Sequence, residues 1–210
     1  IRQSFLAYAP FGKRYFQWYL PLMPIATERH NLHDYDMVLS STSSFAKGVL
    51  TRPETLHISY CHTPPRFLWT DAHEYLAELK HSRLIKSFLP RIVYKLRMWD
   101  KMSVDRVDHF IANSLTVQRR ISKYYRRDSD IIHPPVETNK FRLSNKIGGY
   151  FVAGGRLVPY KKLDIVIKAF NRWRQPLKIF GIGPEQKSLQ KMARSNIEFL
   201  GKITEEYKAD

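Results

Sequence analysis

The sequence predicts an α/β fold with parallel sheets, and three observations support this prediction. Short apolar segments alternate along the chain with longer amphipathic segments. Many of the apolar segments stop at glycine, proline, serine or threonine, as strands do before a turn. Hydrophobic residues make up 43% and aromatic residues 13% of the chain, which is enough for a packed core. No apolar run approaches the roughly 20 residues of a membrane-spanning helix.

Four short strands are predicted in the first part of the chain, at residues 36–40, 56–61, 109–112 and 130–133. Residues 1–35 are aromatic-rich and irregular, which indicates short helices and loops. A long helical pattern covers about 84–106, and Pro90 indicates an early kink or the start of this helix. Ser114 is placed to cap a second helix that runs to about residue 125.

A second block of strands and helices follows residues 138–149, a polar segment that ends in two glycines and is predicted to be the main linker. The patterns predict strands at 150–153, 177–180 and 197–200, and helices at 162–173, at 185–194 and from Thr204. The predicted domains are therefore residues 1–145 and 146–210. Both sheets are expected to be incomplete, with open edges that favour oligomers or poor solubility.

The charge of the chain favours anionic partners. The 210 residues carry a formal net charge of +16, which suits nucleic acid, anionic lipid or phosphorylated substrates. Residues 80–127 hold 13 Lys and Arg against 3 Asp and Glu, a net +10. The single cysteine, Cys61, excludes an intramolecular disulfide and predicts a reducing compartment.

Six short segments occur in an order that is specific as a set. They are SYCHTPPRFLW (59–69), RVDHFIANS (106–114), IIHPPVE (131–137), GGRLVPYKKLD (154–164), IFGIGPE (179–185) and IEFLGKIT (197–204). From about Asp36 onward, the chain resembles the retaining glycosyltransferases of family 4. Bacterial mannosyltransferases that build surface polysaccharides are the most similar members.

The resemblance implies a GT-B fold, in which two Rossmann-like doubly wound domains bind a nucleotide-sugar donor and an acceptor. It implies transfer of a hexose such as mannose, with GDP-mannose as a candidate donor and a saccharide or polyprenyl-linked acceptor. No cofactor and no metal are expected. The implied location is the cytoplasm, with peripheral attachment to the inner face of the cytoplasmic membrane as a further option.

Two family features fall outside the chain on this interpretation. A glycine-rich loop would precede Ile1, and a Glu-x7-Glu segment would follow Asp210. Glu198 and Glu206 have the Glu-x7-Glu spacing, but they flank a strand and a helix start. They are therefore given no donor role.

Arg156 and Lys161 are the best-supported pair of candidate catalytic residues, with Lys162 as the alternative in register. They follow the Gly154–Gly155 turn between a strand and a helix, where backbone N–H groups can face an anion. The resemblance implies that Arg156, Lys161 and Gly155 hold the donor diphosphate and stabilise it as it leaves. The structural alternative is a solvated basic loop.

His62 ends a predicted strand just before Thr63 and two prolines. Strand ends in parallel sheets face the ligand cleft, and the resemblance implies that His62 orients the donor sugar and steadies developing charge. The alternative is a hydrogen-bonded structural histidine. Cys61 next to it is expected to point to the opposite face and to be a buried residue rather than a nucleophile.

Three further residues are predicted on weaker grounds. Arg66 is expected either to reach an acceptor or donor phosphate or to form a surface salt bridge. Ser114 is expected to cap a helix, and the resemblance adds an acceptor-binding role. Gly183 lies in a second strand-to-helix turn, which the resemblance places near the nucleoside.

The histidines show no metal-ligand spacing, since His57 and His62 should lie on opposite faces of one strand. A separate signal is the basic helix after Ser114, which combines apolar residues with five cations: Arg119, Arg120, Lys123, Arg126 and Arg127. Its two faces suit either an anionic membrane surface or an ordinary helix with its apolar side in the core.

Two other function classes remain as alternatives to the enzyme. A nucleic-acid-binding module would explain the charge, but the sequence has no helix-turn-helix, zinc-finger, RRM or KH signature. A basic membrane-surface or assembly protein could retain the fold without catalysis.

Overall fold

The structure is a computed structural model that describes residues 3–10, 16–74, 83–140 and 148–204. The chain divides into two compact units, Ile1–Pro134 and Pro135–Asp210. The predicted boundary between residues 145 and 146 lies outside the described residues. The predicted helix after Thr204 lies there as well.

The first unit contains a four-stranded sheet in the order β1-β2-β3-β4. Its strands are β1 Met37–Thr42, β2 Leu56–Cys61, β3 His109–Ala112 and β4 Asp130–Ile131. All neighbours are parallel, and the carboxyl ends align in one row because Cys61 pairs with both Thr42 and Ala112. This confirms the predicted parallel α/β class for this unit. Strand β4 is two residues shorter than predicted, since it stops before the His133-Pro134-Pro135 segment.

The helices of the first unit are α1 Met23–Glu28, α2 Arg83–Met102 and α3 Leu115–Arg120. A π turn, Ile121–Tyr125, continues α3 to the predicted end of the basic helix. Short 3-10 turns cover Phe5–Tyr8, Phe16–Leu22, Ala46–Gly48 and Ser103–Arg106.

Pro90 lies inside α2, so the prediction that it starts the helix is wrong. A proline removes one backbone hydrogen bond from a helix. The turns after Pro90 are stabilised by apolar packing, because Val93 and Leu96 are buried against Leu68.

A buried ion pair anchors α2 to the rest of the unit. The carboxylate of Asp100 pairs with the ammonium of Lys47, and each side chain is 1% exposed. The same carboxylate accepts hydrogen bonds from Trp69 Nε1 at 2.8 Å and from the Tyr125 hydroxyl at 3.1 Å. Asp100 therefore connects three segments that follow different strands.

The second unit contains three parallel strands in the order β5-β6-β7. They are β5 Phe151–Gly154, β6 Leu177–Phe180 and β7 Ile197–Gly201. Its other described elements are the 3-10 turns Thr138–Lys140 and Pro159–Lys161 and the helices α4 Leu163–Trp173 and α5 Gln186–Met192. Its core joins side chains from strands and helices alike, namely Leu157, Leu163, Ile167, Leu177, Ile179, Leu189 and Ile197. The predicted strand and helix order is confirmed here.

Within the described parts of both units, no helix is both long enough and apolar enough to cross a bilayer.

Candidate functional site

Two glycine turns meet at the carboxyl edge of the second sheet. Gly155 follows β5 with a φ of +126°, and Gly181 follows β6 with a φ of +114°. Both angles lie in the region that favours glycine. A Cβ at Gly181 would overlap the carbonyl oxygen of Gly155, so the two turns lie in direct backbone contact. The Gly155 amide also donates to the Phe180 carbonyl at 3.1 Å.

These turns form one side of a recess of about 340 Å³. The residues that line it are Gly155, Arg156, Phe180, Gly181, Ile182, Lys202 and Ile203. Arg156 and Lys202 are both exposed, and they come from the ends of β5 and β7. An Arg fork and a mobile Lys charge beside a glycine backbone are the groups that bind phosphate oxygens. The recess is therefore suited to a small anionic group.

Lys161, the predicted partner of Arg156, lies outside the recess. Lys161 is exposed in the Pro159–Lys161 turn, with Nζ 5.8 Å from the centroid of the Tyr160 ring. Lys162, the alternative, has a φ of +52° and is the N-cap residue of α4. Neither lysine lines the recess. The cation that accompanies Arg156 there is Lys202, which sequence reasoning missed because only the strand order brings it close.

Gly183 has a packing role in the structure. A Cβ at this position would overlap the carbonyl oxygen of Leu157, and Gly183 does not line the recess. The adjacent backbone is tied by hydrogen bonds from the Leu157 amide to the Ile182 carbonyl and from the Glu185 amide to the Leu157 carbonyl. A nucleoside-binding role for Gly183 stays a prediction.

In the first unit, polar side chains occupy the carboxyl edge of the sheet. His62 is exposed just beyond β2, with Nε2 2.9 Å from the hydroxyl of Ser41 at the end of β1. The His62 ring packs edge-on against Tyr60 at 5.3 Å between centroids. Beyond β3 and β4, Nδ1 of His133 lies 3.1 Å from the carbonyl oxygen of Asn113. Ser41 and His133 were missed as candidates, since only the strand register brings them to this edge.

His57, Ser59 and Cys61, on the other side of β2, are buried. Cys61 is 1% exposed, and burial raises the pKa of its thiol to about 12, which excludes it as a nucleophile near neutral pH. His57 lies on the same buried side, 3.0 Å from both the Ser40 hydroxyl and the Arg106 carbonyl. Burial lowers the pKa of His57. The predicted opposite placement of His57 and His62 is confirmed.

Arg66 and Ser114 have local structural partners. Arg66 forms a surface ion pair with Asp71 at 2.5 Å. The Ser114 hydroxyl accepts the Val117 amide at 3.4 Å and donates to the Asn113 side chain at 3.0 Å, so the predicted helix cap is confirmed. An acceptor-binding role for either residue stays a prediction.

The basic helix after Ser114 packs as an ordinary amphipathic helix. Val117 and Ile121 are buried in the core of the first unit. Arg120 donates to the Thr63 hydroxyl at 3.1 Å, and Arg127 donates to the Val107 and Asp108 carbonyls at 2.8 and 2.9 Å. The apolar side of this helix is therefore not available to a membrane.

Among the described residues, no group of three or more His, Cys, Asp or Glu side chains is placed to bind a metal ion. The absence of a metal from the reaction remains a prediction.

The fold and the recess define a parallel α/β protein with a cationic, glycine-lined carboxyl edge, where ligands bind in such sheets. No family model matches the chain. The chain is similar to the O-antigen chain mannosyltransferase RfbU of Salmonella typhimurium, with 29% identity over 124 residues. The match covers 56% of this chain and 34% of the mannosyltransferase, so the chain spans about a third of that relative's length. The chain thus resembles a bacterial mannosyltransferase, as the sequence motifs indicated.

Two solved structures have a related backbone. A mutant of S. aureus TarM, in complex with UDP, alpha-GlcNAc-glycerol and Fondaparinux, matches with a TM-score of 0.48 and 11% identity, over 72% of this chain and 29% of TarM. Anabaena HepE, in complex with UDP and glucose, matches with a TM-score of 0.45 and 16% identity, over 88% of this chain and 66% of HepE.

Proposed function

We propose that the chain is part of a retaining glycosyltransferase that transfers a hexose from a nucleotide sugar to a saccharide or lipid-linked acceptor. The observation that carries the proposal is the recess at the carboxyl edge of the second sheet, where Gly155 and Gly181 expose backbone beside Arg156 and Lys202. The similarity to an O-antigen mannosyltransferase supports the same conclusion. The GT-B arrangement of two Rossmann-like domains is part of this proposal.

The chemistry of the step explains the need for these cations. The bond between the sugar and the diphosphate breaks, and the leaving nucleoside diphosphate gains negative charge in the transition state. Hydrogen-bond donors and cations that are already directed at this charge lower the activation barrier, because they need no reorganisation during the reaction. In the proposal Arg156 and Lys202 bind the diphosphate in the recess, and Lys161 reaches it from the turn before α4.

The first unit supplies the sugar-orienting and acceptor groups in this proposal. His62, positioned by the hydroxyl of Ser41, orients the donor sugar. Arg66 and Ser114 belong to the acceptor side, where Arg66 would exchange its contact with Asp71 for an acceptor phosphate. No general base is assigned.

Mannose is the proposed sugar and GDP-mannose the proposed donor, supported by the mannosyltransferase relative. The proposed acceptor is a saccharide or a polyprenyl-linked saccharide. No cofactor or metal is part of the proposed reaction. The proposed location is the cytoplasm, with peripheral attachment to the inner face of the cytoplasmic membrane.

Calorimetric titration of the chain with GDP, UDP and ADP tests the recess. We expect GDP to bind, and Arg156→Ala or Lys202→Ala to weaken the binding about tenfold or more, since a hydrogen bond to a charged group contributes about 1.5–3 kcal/mol. Lys187→Ala, an exposed position on α5, is the matched control that removes the same charge. Equal loss in the control, or no binding of any nucleotide, would contradict the proposal.

A transfer assay with GDP-mannose and a lipid-linked saccharide tests the reaction. It uses the chain and a longer form that carries flanking sequence. We expect Arg156→Ala and Lys161→Ala to abolish transfer in the active form. Transfer that persists in both variants would overturn the assignment of these residues.

A further inference from the structure

Among the residues that the structure describes, one face of helix α2 is exposed. Its outward side chains are Phe88, Arg91, Tyr94, Lys95, Met98 and Met102. At 3.6 residues per turn, these positions fall within an arc of about 120° and run about 21 Å along the helix. The opposite side of α2 carries Val93 and Leu96, which are buried. We call the outward surface the α2 face.

Several large apolar side chains are exposed on the α2 face. Phe88 is 55%, Tyr94 60% and Met102 65% exposed. Single exposed apolar residues are normal in proteins, but here four of them, namely Phe88, Tyr94, Met98 and Met102, share one side of one helix. Arg91 and Lys95 lie between these residues, and the Arg91 guanidinium is 5.9 Å from the centroid of the Phe88 ring.

We propose that the α2 face docks the protein on an anionic bilayer. Aromatic and thioether side chains insert at the boundary between headgroups and acyl chains, and tyrosine suits this boundary because it has an apolar body and a polar tip. The Arg91 and Lys95 stems extend along the apolar surface and bring their charges to the lipid phosphates. This inference rests on the peripheral location in the proposed function and assigns the surface that provides it.

As a surface for membrane docking, the structure favours α2 over the basic helix after Ser114 that the sequence indicated. In α3 and its π turn the apolar residues lie in the core, and Arg120 and Arg127 are bonded to the protein itself. In α2 the buried residues lie on one side, while both apolar and basic residues remain on the other. Only the second arrangement offers insertion and charge attraction together.

Charge and area argue against a second copy of the chain as the occupant. The chain carries a net charge of +16, and two α2 faces would bring Arg91 and Lys95 against their own copies. A helix face about 21 Å long and about 10 Å wide covers about 200 Å². A stable protein interface buries roughly 800 Å² on each partner.

Vesicle flotation tests the contribution of charge. The chain is mixed with vesicles of phosphatidylglycerol and phosphatidylcholine in equal parts, or of phosphatidylcholine alone. We expect binding to the anionic vesicles only, and about 30-fold weaker binding for Arg91→Ser combined with Lys95→Ser, since each basic residue near the surface contributes about 1 kcal/mol. The control, Lys187→Ser with Lys191→Ser on α5, removes the same charge and is expected to bind much more tightly than the α2 variant.

A fluorescent label tests insertion. Because the one native cysteine is buried, a cysteine at an exposed position is the accessible thiol for an environment-sensitive dye. We expect the fluorescence emission of a dye attached to Met98→Cys to shift to shorter wavelength and to become more intense when anionic vesicles are added. Dye on Ile165→Cys, on α4, is expected to stay unchanged, although Ile165 is more exposed than Met98, at 60% against 47%.

Three results would overturn the inference: equal effects of the α2 and α5 charge variants, a label shift at position 165 but not at 98, or a concentration-dependent dimer abolished by Phe88→Ser. A fourth result would overturn the inference in favour of a nucleic acid partner: salt-sensitive binding of the α2 face to DNA that is tighter than its binding to vesicles. None of these assays contains a nucleotide sugar. Failure of vesicle binding is therefore distinguishable from failure of the proposed transferase function.

Discussion

The carboxyl edges of the two sheets are built by different means. In the second unit the edge consists of glycine backbone with positive φ at Gly155 and Gly181, beside the cations Arg156 and Lys202. In the first unit the edge consists of polar side chains that form hydrogen bonds, as His62 does with Ser41. The first type of edge depends on the absence of side chains, and the second depends on their mutual orientation. Substitutions should therefore damage the two edges in different ways.

The largest expected effect is in the first unit, at the buried ion pair between Lys47 and Asp100. Lys47→Met leaves the Asp100 carboxylate buried without its counter-charge, and we expect the free energy of unfolding to fall by about 3–5 kcal/mol. Adding Asp100→Asn should recover much of this loss, because the uncompensated charge is then gone. Chemical denaturation measures both.

The exposed pair Lys168 and Asp164 on α4 provides the control, since its atoms lie 3.0 Å apart at the surface. Lys168→Met should leave unfolding close to that of the parent. If Lys47→Met behaves in the same way, the buried pair does not anchor the first unit.

An intermediate effect is expected at the glycine edge. Gly181→Ala places a Cβ against the Gly155 carbonyl at a φ of +114°, and we expect a loss of about 2–3 kcal/mol in the second unit together with loss of nucleotide binding. Gly149→Ala is the matched control, because a Cβ there meets no atom within 4 Å. Thermal unfolding measures the loss of stability, and calorimetry measures the loss of nucleotide binding. Parent-like behaviour of Gly181→Ala would refute the backbone contact.

The smallest expected effect is a difference in pH dependence between the units. Burial lowers the pKa of His57 in the folded state, so the unfolded chain binds its proton first as the pH falls. The contribution of His57 to stability is complete above the pKa of the unfolded chain, about 6.5, and is lost as the pH falls below it.

Residues 135–210 contain no histidine, so the second unit serves as an internal reference. Hydrogen exchange from pH 8 to pH 5, corrected for the intrinsic rate, should show the first unit weakening relative to the second. In His57→Gln the difference should shrink. An equal response of both units in the parent would show that His57 is not the cause.

The sequence allowed most of the local structure to be predicted. The strands at 56–61, 109–112 and 177–180 match residue for residue, because turn-forming residues follow them and apolar residues recur within them. The sequence leaves open whether Pro90 kinks α2 or starts it, since the packing that carries α2 past this proline involves Leu68 from a different segment.

The candidate site was predicted only in part. Arg156 and His62 stand next to strand ends that the sequence marks, so their placement at a sheet edge could be foreseen. Lys202 and Ser41 could not, because their approach depends on which strands are neighbours and in what register. The exposed apolar face of α2 was not predicted either. Helical periodicity indicates that a helix is amphipathic, but it does not show which of its apolar residues remain exposed.

The contact between the two glycine turns has a consequence for how the sequence can diverge. At position 155 a side chain would enter open space, but the φ of +126° lies outside the left-handed region that asparagine and aspartate reach, so any substitution there strains the backbone. At position 181 a side chain would meet backbone that every amino acid possesses, so no substitution at position 155 can compensate. Among related chains, both positions should therefore retain glycine, position 155 because of its backbone angle alone and position 181 because of its angle and of the contact between the two turns.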